Sequence, residues 1–449
     1  MIQYPISPGS CEKKILFCRA EDCQFTIKLT HKFFGIKLVL KDISSLVGTR
    51  LVVQILLLAS APILTRLYTP KDYGHFGLML SIAGILQILG TFRFDLAIKR
   101  ATTVELARFN YFISLGGVLF TCLITLVVIA GFSFFESTLL SSKFGIYFYL
   151  LPLLVLLIGL WQVTSAFLTR EGLFNTKGIT ELSQSVSAIF INIVGGLLGW
   201  GNLVLGGVLS RITSMLFFVK KIQFKESFLG FVKSVSVKKI SNQFKENKDL
   251  LKYSVPSALL YKINSNLPIF YLANYLDSAL VGFFVLTNRV ILAPIFLLGT
   301  SVGDVFQNRI RKKIENINEL IKVLISVWLV SLIVILPVSI FLFLFGPQMF
   351  GLLFGEKWQT SGYIASALAV SLSFKFMSSI TNGTFTMLKL ESVGFYCSVF
   401  ELPSKILIFV FFDQKNELMN SFWAIAVYDA IQIVFVNILL LFKINKKRV

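Results

Sequence analysis

Positively charged side chains occur inside or at the ends of long apolar stretches of this sequence. Arg50, Lys262 and Arg289 have no acidic residue one helical turn away. Because a charge at membrane depth costs at least about 2.5–3.5 kcal/mol on insertion scales, such residues indicate a function that needs them. Arginine and lysine in this setting are suited to bind an anion such as a phosphate group. The candidate binding residues of this kind are Arg50, Arg66, Arg211, Lys262, Arg289 and Lys375.

Carboxylates are fewer, and three of them are candidates for a titrating or cation-binding role in transport: Glu181, Asp429 and Asp95. Asp95 lies near the end of its apolar stretch, where its side chain could instead reach lipid headgroups. Lys405 has Glu401 four residues before it, and this spacing predicts a structural ion pair rather than a ligand contact.

No arrangement of residues typical of an enzyme is present. The chain has 2 His, no phosphate-binding loop and no GxSxG nucleophile motif. Cys11, Cys18, Cys23 and His31 do not have the spacing of a standard zinc site. We therefore expect a protein that is not an enzyme and that has no metal and no cofactor.

The composition is that of an integral membrane protein, with 55% hydrophobic and only 15% charged residues. A formal net charge of +20 could indicate a nucleic-acid partner. The lysines and arginines lie mainly between apolar runs, however, so no nucleic acid is expected.

The apolar runs predict twelve membrane spans, and basic residues cluster in alternate connections between them. Since cytoplasmic loops of membrane proteins carry an excess of Lys and Arg, both termini and the long loop 220–251 are predicted to be cytoplasmic. The predicted spans are 43–67, 75–98, 109–133, 146–169, 178–199, 202–219, 252–274, 279–302, 321–345, 362–387, 393–412 and 420–442.

The two halves of the chain are weakly similar. A shift of 208 residues aligns Gly74 with Gly282, and the helices concerned contain Pro62 and Pro268. Proline-containing helices with polar stripes in equivalent positions indicate a transport cavity. The predicted fold is all-α, with two six-helix halves related by a pseudo-twofold axis along the membrane normal. The predicted regions are an N-terminal extension (1–42), the first bundle (43–219), a basic linker (220–251), the second bundle (252–442) and a basic tail (443–449).

Three stretches resemble a known family. They are the turn TRLYTPKDYG (65–74) with the FRFDLAI that follows, LTNRVILAPIFLLGTSVGDVFQNRIRK (286–312) and LFGEKWQTSGYIASALA (353–369). They are similar to Wzx-type polysaccharide exporters, the O-antigen flippases of the multidrug/oligosaccharidyl-lipid/polysaccharide exporter superfamily. The resemblance covers roughly residues 42 to 445, and residues 1–41 lie outside it.

The resemblance implies a flippase of a bacterial or archaeal cytoplasmic membrane. Its cargo would be an isoprenoid-diphosphate-linked oligosaccharide, moved through a cationic cavity as the two halves rock against each other. Membrane lipids and other polysaccharide assembly proteins are the expected partners. A multidrug or cation antiporter of the same superfamily is one alternative, although its cavity should be rich in acids. A polysaccharide polymerase is another, although the predicted external connections are short for a catalytic loop.

Overall fold

The computed structural model describes residues 48–135, 146–199, 203–219, 237–275, 278–311, 317–387, 391–415 and 417–446. Throughout these ranges the chain is helical or forms turns between helices, and none of the described residues is in a strand. The N-terminal extension, with Cys11, Cys18, Cys23 and His31, lies outside the described residues.

Fifteen α-helices are described, and two of them are joined by a π-helical turn at Asn288–Leu292. In chain order they are α1 (Gly48–Leu67), α2 (Pro70–Thr91), α3 (Phe94–Arg100), α4 (Val104–Phe135), α5 (Leu151–Arg170), α6 (Phe174–Leu197), α7 (Leu203–Val219), α8 (Val237–Glu246), α9 (Val255–Tyr275), α10 (Ser278–Thr287), α11 (Ala293–Arg311), α12 (Ile317–Phe354), α13 (Gln359–Met387), α14 (Glu391–Gln414) and α15 (Leu418–Lys446).

The predicted all-α fold with twelve spans is confirmed. Leaving aside the short helices α3 and α8, and joining α10 to α11, the described helices follow the predicted spans in order. Nine of these helices in the described ranges are long and apolar enough to cross a membrane by themselves. The chain is therefore a multi-pass membrane protein.

The second predicted span, 75–98, is not continuous. Helix α2 ends at Thr91, and Phe92 and Arg93 adopt left-handed conformations with φ of 46° and 59° before α3 begins. Such conformations are uncommon for residues other than glycine, so the surrounding packing must hold them.

The ninth predicted span, 321–345, is shorter than the helix that the structure shows: α12 continues through Pro337 and Pro347 to Phe354. Membrane helices tolerate internal prolines where neighbouring groups satisfy the freed backbone.

The two halves meet where α2 crosses α10. A Cβ atom added at Gly74 would overlap with the carbonyl oxygen of Ser278, and one added at Gly282 would overlap with that of Pro70. These contacts are reciprocal under the 208-residue shift, which places Pro70 on Ser278 as well as Gly74 on Gly282. Small residues allow membrane helices to approach this closely. The repeat detected in the sequence thus corresponds to a symmetric helix crossing.

Beside this crossing, the turn before α2 contacts the turn before α13. The buried Trp358 donates a hydrogen bond from Nε1 to the Thr65 carbonyl (3.0 Å), and Lys357 Nζ donates to the Tyr68 carbonyl (3.0 Å). Thr69 caps α2 in a reciprocal pair with Asp72, which fixes where that helix begins. We call this end of the bundle the Trp358 end.

The opposite end carries α8, in the linker between the halves, and we call it the linker end. Phe244 of α8 packs on Phe94, with ring centroids 4.9 Å apart, and also contacts Phe92. Arg93 Nε donates to Ser254 Oγ (3.3 Å). The break between α2 and α3 is therefore held by α8 and by the segment immediately before α9.

Candidate functional site

A cavity of about 580 Å³ lies within the second half of the chain. Its walls come from α9, from the region of the π-helical turn, and from α13, α14 and α15. Polar residues recur at helical spacing on the walls, as in Lys262 and Asn266 on α9 and Lys375 and Ser378 on α13. The charged residues of the lining are Lys262, Lys375, Glu401, Lys405 and Asp429.

Four of these charges form one network, in which Lys405 and Asp429 are buried and Lys375 and Glu401 are partly buried. Asp429 accepts from Lys375 (Nζ to Oδ2, 2.7 Å) and from Lys405 (Nζ to Oδ1, 2.8 Å). Lys405 also contacts Glu401 (Nζ to Oε1, 2.5 Å), so the predicted i, i+4 pair is confirmed and extended. Because the four side chains come from α13, α14 and α15, the network links three helices. Paired in this way, buried charges avoid the large cost of isolated ones.

Lys262 differs from the other cations of the cavity, because its ammonium group has no acidic partner among the residues that the structure describes. It lies at the boundary between the halves. A Cβ atom added at Gly84 of α2 would be 2.6 Å from Lys262 Cε, so the lysine side chain packs directly against the first half at this glycine. This position combines a cavity wall, an inter-half contact and an uncompensated charge.

Asn264 and Asn266 both follow Lys262, on opposite faces of α9, and they hold this helix in place. Asn266 accepts a hydrogen bond from Ser81 Oγ of α2 (2.9 Å). On the other side, Asn264 Nδ2 donates to the Ser398 carbonyl (2.9 Å) and to Glu401 Oε2 (3.3 Å) of α14. Helix α9 is therefore attached both to the first half and to the charge network.

The residues that line the cavity differ between its two ends. Phe284 and Phe422 stack with ring centroids 5.9 Å apart on its Trp358 side. Tyr261 and Asn382, which line the cavity nearer the linker end, are exposed. A polar group could therefore enter from the linker end.

The remaining candidate residues lie elsewhere. Arg50 Nε contacts Glu181 Oε2 (3.2 Å) between α1 and α6. Arg211 donates from Nη1 to the Gly207 carbonyl of its own helix (2.6 Å), and Arg66 is exposed near the Trp358 end. Arg289 is in the π-helical turn, within electrostatic range of Tyr73.

Asp95 is buried in α3, and its Oδ1 atom has no hydrogen-bond partner among the described residues. Of the nine residues singled out in the sequence, the structure brings Lys262, Lys375 and Asp429 to one cavity.

Several residues of the cavity were not identified from the sequence. Gln432 Nε2 donates to Glu401 Oε2 (3.4 Å), and Tyr261 and Asn288 add further polar groups to the lining. The sequence does contain a pattern that predicts a polar wall. Ser398, Glu401 and Lys405 share one face of α14 at helical spacing, and Asp429 and Gln432 do the same on α15.

Comparison with known proteins identifies the fold and the family. The family described as "Polysaccharide biosynthesis protein" matches residues 63–362. The structure of the lipid II flippase MurJ in an inward closed conformation aligns with a TM-score of 0.66 at 14% identity, covering 88% of this chain and 87% of that one.

A multidrug resistance MATE family transporter of the MOP superfamily, in an inward-facing conformation, aligns with a TM-score of 0.61 at 15% identity. That alignment covers 89% of this chain and 99% of the transporter. A MOP superfamily transporter from Pyrococcus furiosus aligns with a TM-score of 0.56 at 17% identity, covering 90% and 94% of the two chains. At these identities the likeness shows the fold alone. No curated protein matches the chain.

Proposed function

The chain belongs to the polysaccharide biosynthesis protein family, and we propose that it is a flippase for an isoprenoid-diphosphate-linked oligosaccharide. It would move this repeat unit across the cytoplasmic membrane for the synthesis of a surface polysaccharide such as O-antigen or capsule. Membrane lipids and other polysaccharide assembly proteins would be its partners. The flippase among the structures of similar fold is named for lipid II, which supports a lipid-linked cargo.

The observation that carries the proposal is Lys262. It lines a cavity inside a membrane protein, borders the first half at Gly84, and has no acidic partner among the described residues. A diphosphate cannot cross hydrocarbon unaided, because its charge would lose its water. A lysine ammonium group can replace part of that hydration with a charge-assisted hydrogen bond.

Transport would proceed by rocking of the first half against the second. Exposed Tyr261 and Asn382 line the cavity toward the linker end, and the stacked Phe284 and Phe422 line it toward the Trp358 end. This arrangement is the one expected of a state that accepts cargo from the linker end. The basic clusters predict that the linker end is cytoplasmic, on the side where lipid-linked sugars would be assembled. The opposite state requires α2 and α10 to separate near Gly74 and Gly282 while contacts form at the linker end.

A cation antiporter with the same fold is less well supported. Its cavity should present free carboxylates to an organic cation. In this cavity Asp429 and Glu401 both contact lysines at 2.5–2.8 Å.

The test replaces Lys262 and measures surface polysaccharide together with the amount of protein in the membrane. We expect Lys262→Gln to lower export at least tenfold without lowering the membrane level, because removing a charge from a membrane span makes insertion easier. Lys262→Arg should retain more export than Lys262→Gln. The matched control is Lys322→Gln, which makes the same change at an exposed position of α12. Export at the wild-type rate by Lys262→Gln would contradict the proposal.

A further inference from the structure

We propose that the second-half cavity is a saccharide pocket, which receives the sugar portion of the cargo while the diphosphate remains at its edge beside Lys262. This inference rests on the proposed function, because it assigns the diphosphate and the sugar of the proposed cargo to two different parts of the cavity. It assigns the uncharged and paired groups of the cavity a role that is separate from anion binding.

The charge network does not suit an anion. Lys375 and Lys405 are neutralised by Asp429 and Glu401, so the four side chains together carry no net charge. A phosphate group placed among them would meet the two carboxylates as well as the two ammonium groups. A sugar hydroxyl both donates and accepts hydrogen bonds, so it can bind next to either kind of group.

The rest of the polar lining is made of amides and hydroxyls. Gln432, Asn288 and Asn382 offer both donors and acceptors, and Tyr261 adds a phenol. Phe385 and Phe395 supply apolar faces that could cover the C–H face of a sugar ring. A volume of about 580 Å³ falls within the range, roughly 300–1,000 Å³, of pockets that hold small molecules.

Lys262, the proposed site for the diphosphate, lies on a different wall of the cavity from the charge network, where the sugar is proposed to bind. It lies on the α9 wall, which contacts Gly84 of the first half, whereas the charge network is formed by α13, α14 and α15. A diphosphate at Lys262 would therefore be at the inter-half boundary, with the attached sugar extending toward the network. The isoprenoid chain would remain outside the cavity.

The experiment measures two ligands separately on purified full-length protein in detergent. One is inorganic pyrophosphate, and the other is the lipid-free oligosaccharide repeat unit released from the host's own surface polysaccharide. Gln432→Leu removes an amide while keeping a similar volume, and the exposed Gln414→Leu is its matched control. Asn382→Ala is a second variant, at an exposed position of the lining where folding should tolerate the change.

We expect Gln432→Leu and Asn382→Ala to weaken oligosaccharide binding at least fivefold and to leave pyrophosphate binding unchanged. Lys262→Gln should do the reverse, and Gln414→Leu should change neither. Failure of the wild-type protein to bind the oligosaccharide would overturn the inference, as would unchanged oligosaccharide affinity in both lining variants. If pyrophosphate does not bind while the oligosaccharide pattern holds, the diphosphate role of Lys262 fails and the saccharide pocket stands.

Discussion

Arg50 is a cation within a predicted span whose partner lies on another helix. Its Nε atom is 3.2 Å from Glu181 Oε2, and the two side chains are 42% and 20% exposed. Ion pairs with this much solvent access contribute about 0–1 kcal/mol to stability. The absence of an acid on its own helix made Arg50 a candidate for binding cargo. The structure provides a second explanation, in which the pair positions α1 against α6.

Exchanging the charges of Arg50 and Glu181 distinguishes cargo binding by Arg50 from a structural ion pair. We expect Arg50→Glu alone to lower export, because it places a second carboxylate beside Glu181 and the two repel. The double variant Arg50→Glu/Glu181→Arg should restore export, since the pair links α1 to α6 in either direction. Surface polysaccharide and membrane level are measured for both. If the double variant reaches the membrane but remains inactive, Arg50 contacts the cargo directly, as its sequence position suggested.

Pairs of charges differ in how well the sequence reveals them. The Lys405–Glu401 contact was predictable, because residues four apart on a helix are neighbours in space. Asp429 could not be paired with Lys375 and Lys405 in advance, since the three residues lie on separate helices. Their meeting depends on how α13, α14 and α15 pack, which helical spacing within one element does not determine.

Among the elements, α2 and α10 show how a repeat in sequence becomes a contact. Gly74 and Gly282 each face the backbone of the other helix, and the equivalence found by shifting the sequence predicted that they correspond. It did not predict that they touch. That contact arises because the two helices meet around the axis that relates the halves.

The close crossing of α2 and α10 predicts that one added methyl group at Gly74 destabilises the protein. Gly74→Ala should force α2 away from the Ser278 carbonyl, with a cost of about 1–3 kcal/mol that is typical of overpacking. The control is Gly131→Ala on α4, where no atom lies within 4 Å of an added Cβ. In a helix this control change should be neutral or stabilising by up to about 1 kcal/mol. Thermal unfolding in detergent and export are measured, and equal behaviour of the two variants would contradict the close crossing.

Two features of the fold, the break between α2 and α3 and helix α8, were not predicted from the sequence. The break at Phe92 and Arg93 lies inside the predicted span 75–98, and it requires left-handed backbone at residues that rarely adopt it. Helix α8 lies in a stretch that was interpreted by its charge alone. The spacing of Ile240 and Phe244 would have been the signal for an amphipathic helix there.

At the scale of the whole molecule, the fold defines two ends, and the distribution of basic residues predicts which end is cytoplasmic. The linker end carries exposed basic residues on α3 and α8, including Lys99, Arg100, Lys238, Lys239 and Lys245. The Trp358 end has Lys357 bound to the Tyr68 carbonyl of the first half. The number and order of spans were predictable because hydropathy and charge alternate along the chain. The location of the cavity within one half was not, because it depends on tertiary packing.

Cysteine labelling tests this orientation. In a variant whose native cysteines are replaced, single cysteines are introduced at Lys245 on α8 and at Gln359 at the start of α13, both of which are exposed. Because basic clusters are retained in the cytoplasm, a membrane-impermeant maleimide added to intact cells should label position 359 and not position 245. Both should react after the membrane is permeabilised, which controls for accessibility. Labelling of 245 but not 359 in intact cells would reverse the orientation. The cavity would then be accessible from outside in this state, and a cargo assembled in the cytoplasm could not enter it from the linker end.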